Sequence, residues 1–471
     1  MAEAIHTESH WEMPHGMNQT EMASENAQQM VELKRPLLSP HPTDLSSNHL
    51  QQQQTEEEAI SIDIKAMTEI SEDGLFSPLC CIYKVPTKIR LQNEEAYTPK
   101  VVSIGPFHHG DERLQEMERH KEIMFKRFAQ NAMTDLDSLV KSAKQSEPKV
   151  RASYFESINY DKQDLVKLIL VDSAFIIQLF IMDYEDYEDQ LTHDAKLSQS
   201  LLIEDICDDL LLLENQLPFF FLEELYNIAF PRNHRGDLPS FLELTYSNFD
   251  WLNKQKLEPD HKIEHFTDLL RLFYLRIIKP GRDFFETGGS DMLRYSANEL
   301  QEAGVKFGVS TSKCLLDLEF SGSVLQIPQI KVTDKTEFLF RNVMALEQCH
   351  YLSETYFCDY TLVLGNLVNT NKDVEVLAHK KIISNWLGDA KEVATLINGL
   401  GKNISHCNFN TEHLDISKRL NEFYEDPWHK KKAALRRDYC NTPWQTVASI
   451  AAIILLILTI TQTVCSILQV V

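Results

Sequence analysis

The stretch Leu165–Met182, LVKLILVDSAFIIQLFIM, decides how this chain folds. Its length raises a membrane reading, since a bilayer core of about 30 Å needs about 20 apolar residues in a helix. Lys167 and Asp172 oppose that reading, because each charge near the middle of a span costs roughly 2.5 to 3.5 kcal/mol on insertion. The stretch is therefore expected to be a buried core helix. Leu201–Leu225 reads the same way: Leu210–Leu213 and Phe219–Phe221 are interrupted by Asp205, Asp208, Asp209, Glu214 and Pro218. That pattern predicts a second core helix, kinked or ended near Pro218, where the ring removes a donor and collides with the preceding turn.

Working outward, helical spacing dominates. Asp111 predicts an N-cap for a helix reaching about Ala132, with Leu114, Met117, Met124, Phe125 and Phe128 on one stripe. Phe241–Leu252 and Ile263–Ile278 extend the theme, with a mobile loop expected from Lys279 to Ser290, and Tyr295–Ala303 ends at Gly304. Short extended pieces are expected at Cys81–Pro86 and Val101–Pro106. The period then changes to two at Leu316, Leu318 and Phe320, which predicts a small antiparallel hairpin with Val324–Ile327. Asp334 and Glu337 suggest a capping box opening another helix, and helices continue to about Tyr424. The fold class is mainly α: a large helical domain with a small antiparallel β element.

The C-terminal end is set apart by charge. After Asp438 no charged residue remains, and Val447–Ile460 is almost wholly Ala, Ile, Leu and Val. Trp444–Val464 is long enough to span a bilayer, so one C-terminal transmembrane helix is expected over 443–467, with 468–471 as a short tail. Trp444 suits the headgroup level, Pro443 a first turn, and Thr459, Thr461 and Thr463 can bond back to their own helix. Just before it lie Lys430, Lys431, Lys432, Arg436 and Arg437, the basic juxtamembrane segment 426–442. With Trp444 they form the expected membrane-anchor interface, each basic residue contributing about 1 kcal/mol beside an anionic leaflet. Their position places the bulk of the chain on the cytoplasmic side. The inverted topology would make the protein an extracellular recognition receptor and expose the sequon Asn403-Ile404-Ser405 to glycosylation.

Composition narrows the rest. Of 471 residues, 46 are Lys or Arg and 70 are Asp or Glu, a formal charge of -24 that disfavours nucleic-acid binding. Residues 1–75 hold 14 acidic and 3 basic residues without a sustained apolar period, so a disordered acidic arm is expected there, able to fold on a basic partner. The mainly helical domain then occupies 76–425. The 9 cysteines lack a CxxC pair and suit reduced thiols in a cytosolic setting.

No nucleophile elbow, phosphate loop, zinc-protease or dinucleotide motif is present, so neither a catalytic residue nor a cofactor is expected. His108 and His109 are the nearest approach to a ligand pair, with His120 a helix later. Adjacent side chains in an extended piece point apart, and loop imidazoles bonded to backbone carbonyls account for them. A membrane-bound metal-dependent hydrolase using that loop is the competing enzyme reading. Asp172, Asp205, Asp209 and Glu214 could hold a cation or do acid–base work. Acids satisfied by basic side chains or helix N-termini account for them better, with Glu214-Asn215-Gln216 bonded to neighbouring segments.

These residues also carry a resemblance. Ile82-Tyr83-Lys84-Val85-Pro86, Ala96-Tyr97-Thr98-Pro99, Val102-Ser103-Ile104-Gly105-Pro106-Phe107-His108-His109-Gly110 and Leu211-Leu212-Leu213-Glu214-Asn215-Gln216-Leu217-Pro218-Phe219 resemble signature blocks of the plant-specific family called domain of unknown function 247. So do Ala297-Asn298-Glu299-Leu300, Leu367-Val368-Asn369-Thr370 with Asp373-Val374, and Pro443-Trp444. The resemblance implies a plant membrane protein with one C-terminal span and a mostly helical domain. It implies no activity, although some grass members are implicated in pollen self-incompatibility recognition. The expected function is protein interaction or recognition at a membrane, the plasma membrane above all. Its partners would be a lipid bilayer and a membrane or cytosolic protein.

Overall fold

A computed structural model describes residues 77–185, 200–234, 236–275, 284–286, 292–405, 408–439 and 443–470. The chain divides into two units, Met1–Glu72 and Asp73–Val471, and every described residue belongs to the second. The expected acidic arm lies outside the described residues.

In chain order the helices are α1 Thr87–Arg90, α2 Gln115–Asn131, α3 Leu136–Ala152, α4 Lys162–Tyr184, α5 Ser200–Asp209, α6 Phe219–Ala229, α7 Phe241–Asn248, α8 Phe266–Tyr274, α9 Ala297–Glu302, α10 Thr336–Cys349, α11 Tyr356–Leu367, α12 Asn371–His379, α13 Ala390–Leu400, α14 Thr411–Glu425, α15 Pro427–Tyr439 and α16 Pro443–Val470. The strands are β1 Phe284–Glu286, β2 Lys306–Val309, β3 Glu319–Ser321, β4 Val324–Ile327, β5 Ile330–Val332, β6 Ile383–Asn385 and β7 Asn408–Asn410. The expected mainly helical class with a small β element is what the structure has.

The opening stretch is the axis of the core. Asp161 caps α4 by accepting from the Asp164 N–H, and α2, α3, α6 and α7 pack around it. Its most apolar window is 89% buried, with Lys167 on an exposed edge and Asp172 inside. Phe180 gathers Phe241, Phe249 and Phe266 at centroid separations of 5.6–5.9 Å, within the range of favourable aromatic pairing. Helix α3 was not legible in the sequence pattern, because Pro148 interrupts it; Asp135 nonetheless caps it at Ser138.

The second core helix differs from expectation. It ends at Asp209, nine residues before Pro218, and Leu210–Leu217 forms a buried strap of turns before α6 begins after Pro218. Apolar Leu210–Leu213 are buried as a helix would bury them, but beyond Leu210 N the helical ladder gives way to tight backbone turns, the amides of Gln216 and Asn342, and the hydroxyls of Thr267 and Tyr154. The box expected at Asp334 is also absent: α10 has no side-chain cap, its approach is held by Thr336 Oγ1 accepting from Thr333 N at 2.8 Å, and Glu337 pairs with Arg341. Capping boxes stand instead at Ser240/Glu243, Ser296/Glu299 and Thr370/Asp373.

The hairpin of β3 and β4 is antiparallel as expected, and β2 adds a parallel strand, giving the order β2-β4-β3. Two further pairs were not anticipated: β5 with β6 in parallel, and β1 with β7 antiparallel. Strand β1 falls inside the loop expected to be mobile; the rest of 279–290 lies outside the described residues. Cys81–Pro86 contributes one bridge, Ile82 to Tyr154, and Val101–Pro106 joins no sheet among the described residues.

Candidate functional site

Val102 and Ile104 are buried in an extended segment with no strand beside it, so its N–H groups need other partners. The strap supplies them. The Asp209 carboxylate accepts from Lys100 N, Val101 N and Val102 N at 2.7–3.1 Å, and Asn215 Oδ1 accepts from Ile104 N at 2.7 Å. The Asn215 amide donates to Val102 O and Asp209 O, both at 3.0 Å. Gln216 closes the strap on itself, donating to Leu210 O and Leu212 O while accepting from Phe266 N at 2.9 Å. From the other side Asp172 accepts from Gly105 N at 2.9 Å, and Lys121, fully enclosed, reaches Asp172 at 2.6 Å and Ser103 O at 2.8 Å.

Burial lifts the Asp209 carboxyl to about 6 against its three N–H donors. At Glu214 burial also pushes upward, but His108, the Val85 N–H and Arg90 outweigh it, so its carboxyl sits below the usual range. Burial would depress Lys121, yet Asp172 and Glu118 hold its ammonium above the ordinary lysine value.

This geometry answers the candidate acids one by one. Asp172, Asp209 and Glu214 are saturated structural acceptors, as expected, though Asp209 is held by backbone N–H groups outside any helix N-terminus. Asp205, one turn before Asp209, is only half-buried and does not join it. The histidines correct the expectation: His108 Nε2 faces Glu214 at 3.4 Å and His109 Nδ1 faces Glu118 at 3.9 Å, carboxylates where carbonyls were expected. Among the described residues no three of His, Cys, Asp and Glu converge as a metal would require, and His120 does not complete a site with the other two. The sequence reading missed Lys121 and Asn342, which clamp the same segment; Asn342 accepts from Leu213 N at 2.9 Å and donates to Ala96 O at 2.7 Å.

The second candidate surface is C-terminal. The most apolar window within Trp444–Leu468 of α16 has a mean hydropathy of 2.3 and none of it is buried, whereas the corresponding window of α4, at 2.2, is almost wholly enclosed. Thr459, Thr461 and Thr463 donate to the carbonyls four residues back at 2.8 Å, which removes their polarity from the helix surface. Trp444 is 83% exposed in the first turn. Lys430, Lys431 and Lys432 lie exposed on α15, with Arg436 and Arg437 farther along the same helix. Lys430 is partly occupied, its Nζ 3.7 Å from the Tyr424 ring centroid. Two residues of this surface escaped the sequence reading: Trp428, 78% exposed, and Leu435, 60% exposed. Their seven-residue spacing was the available signal.

A helical body clamped by an internal polar strap and continued by one exposed apolar C-terminal helix defines a class of protein. The chain belongs to the family described as plant protein of unknown function, domain of unknown function 247, which matches residues 82–458. It is 29% identical to the UPF0481 protein At3g47200 of Arabidopsis thaliana, covering 83% of this chain and 87% of that protein. It is 23% identical to the putative UPF0481 protein At3g02645 of the same plant, covering 85% and 92% respectively. No solved structure matches the chain.

Proposed function

We propose that the protein is an interaction or recognition module held at a membrane by α16, with the helical body on the cytoplasmic side of the plasma membrane. The observation that carries this is the contrast between two helices of closely similar hydropathy, one buried in the body and the other bare along its apolar length. A bare apolar helix of that size would be an aggregation liability in water and finds its solvent in lipid. Anchoring confines the body to two dimensions and raises its effective concentration for partners on the same membrane.

The full chain is expected to stay with membranes through an alkaline carbonate wash, and a chain lacking 443–471 to be released into the supernatant. Release of the full chain by carbonate would refute the anchor. Proximity labelling with the anchor present and then deleted is expected to change the labelled set, which identifies the partner.

A further inference from the structure

We propose that α15 is an interfacial helix that lies along an anionic bilayer surface, setting Trp428 and Leu435 in the headgroup layer with Lys431 and Lys432 on lipid phosphates. This rests on α16 being a membrane anchor. At 3.6 residues per turn Trp428 and Leu435 project about 20° apart, and Lys431 and Lys432 fall within about 60° of Trp428 on either side. All four are exposed, so one face of α15 carries two large apolar groups flanked by two ammonium groups on long stems. Such stems lie along apolar surface and lift their charge to the phosphate level, which is the composition of an in-plane helix.

The face about 100° to 140° round the helix from Trp428 is seated on the body. His429 stacks on Phe423 at 3.9 Å, and Ala433 meets Gly304, where an added Cβ would stand 3.3 Å from the Ala433 methyl. Gly304 has a φ of +106°, so glycine serves both the turn after α9 and the close approach. Three residues separate α15 from α16, so an inserted anchor keeps the C-terminal end of α15 beside the membrane surface. The occupant follows from charge and continuity. On a chain of net -24 this cationic, tryptophan-bearing face adjoins the apolar helix and complements anionic headgroups. Because α15 is fixed to α9 and α14, its docking would also fix which side of the body faces the membrane.

The test uses the full chain reconstituted in vesicles containing lipid spin-labelled near the headgroup. Trp428 is read as the difference between W444F and W444F/W428F. Its emission is expected to be quenched in phosphatidylcholine with phosphatidylserine and much less in phosphatidylcholine alone. Replacing both lysines, K431Q/K432Q, is expected to shift the docked-to-free ratio by about thirtyfold toward free. These side chains are exposed, so folding is not at stake. Emission of Trp428 unaffected by the spin label, in a chain that survives carbonate, would overturn the inference and leave the anchor standing. Equal quenching on both lipid compositions would overturn the anionic preference. A chain stripped by carbonate would overturn the anchor reading and the inference together.

Discussion

His265 shows how much one side chain can hold. It is fully buried and caps α8: Nδ1 accepts from Asp268 N at 3.3 Å, which leaves Nε2–H to donate to Cys81 O at 3.0 Å. Burial depresses its pKa to about 4, more than Asp268 and the Cys81 carbonyl raise it. The folded value lies below the ordinary 6.5, so the unfolded chain binds the proton first. This contribution is complete above about pH 6.5 and is lost as pH falls toward 4, amounting to about 3 kcal/mol at most. Asp209 acts in the opposite direction, its raised carboxyl costing stability as pH climbs from 3.8 to about 6, so the net slope is a difference. His265→Asn keeps a capping oxygen and cannot titrate. Urea unfolding of the full chain in detergent is expected to show the variant less stable at neutral pH, with the gap to the parent closing as pH falls from about 6.5 to 4. An unchanged slope would show that His265 is not the group lost.

Elements here are joined by polar side chains as much as by apolar faces, and Gly105 sits at one such junction. Its φ is +73°, and an added Cβ would stand 2.5 Å from Gln216 O and 2.9 Å from the Tyr154 hydroxyl, itself bonded to Gln216 O at 2.8 Å. Gly105→Ala is expected to lower unfolding free energy by about 3 kcal/mol or more, combining left-handed strain with displacement of the strap. Gly110→Ala, at φ +92° with open space around it, should cost only the strain, about 1 to 2 kcal/mol. Equal losses in thermal melts would mean that the strap yields freely. The same scale shows what was legible. Periodicity located α2, α8 and the β3–β4 hairpin, since each buries one stripe of its own residues, whereas the length of its apolar run located α4, which is buried nearly all round. Run length misread Leu210–Leu217, because four leucines in a row are buried whether the backbone is helical or looped. The partners that hold it looped, Asp209 aside, are distant in sequence or lie beyond the run.

At the scale of the whole molecule, glycosylation at Asn403 reports which side of a membrane the body occupies. The sequon lies in a turn after α13, where Asn403 is exposed at φ +62° and its amide donates to Lys88 O at 2.9 Å. With the body cytoplasmic, full-length protein from plant membranes is expected to show no mobility change on treatment with an endoglycosidase. A shift abolished by Asn403→Gln would mean the inverted topology and an extracellular body. The cytoplasmic expectation rests on the basic residues that crowd just before α16.

The sequence by itself determined the helical class, the unbroken apolar run at the C terminus and the difference between α4 and α16. Lys167 and Asp172 mark a helix that must find partners, and a run without charge needs none. Only the tertiary structure decided where those charges went: Lys167 to an exposed edge, Asp172 to Lys121 and Gly105 N, and Asp209 to three N–H groups over 100 residues earlier. The physical reason is that apolar burial is legible from composition and period within one segment. The partner of a buried polar group is chosen by geometry between segments, which no local pattern encodes.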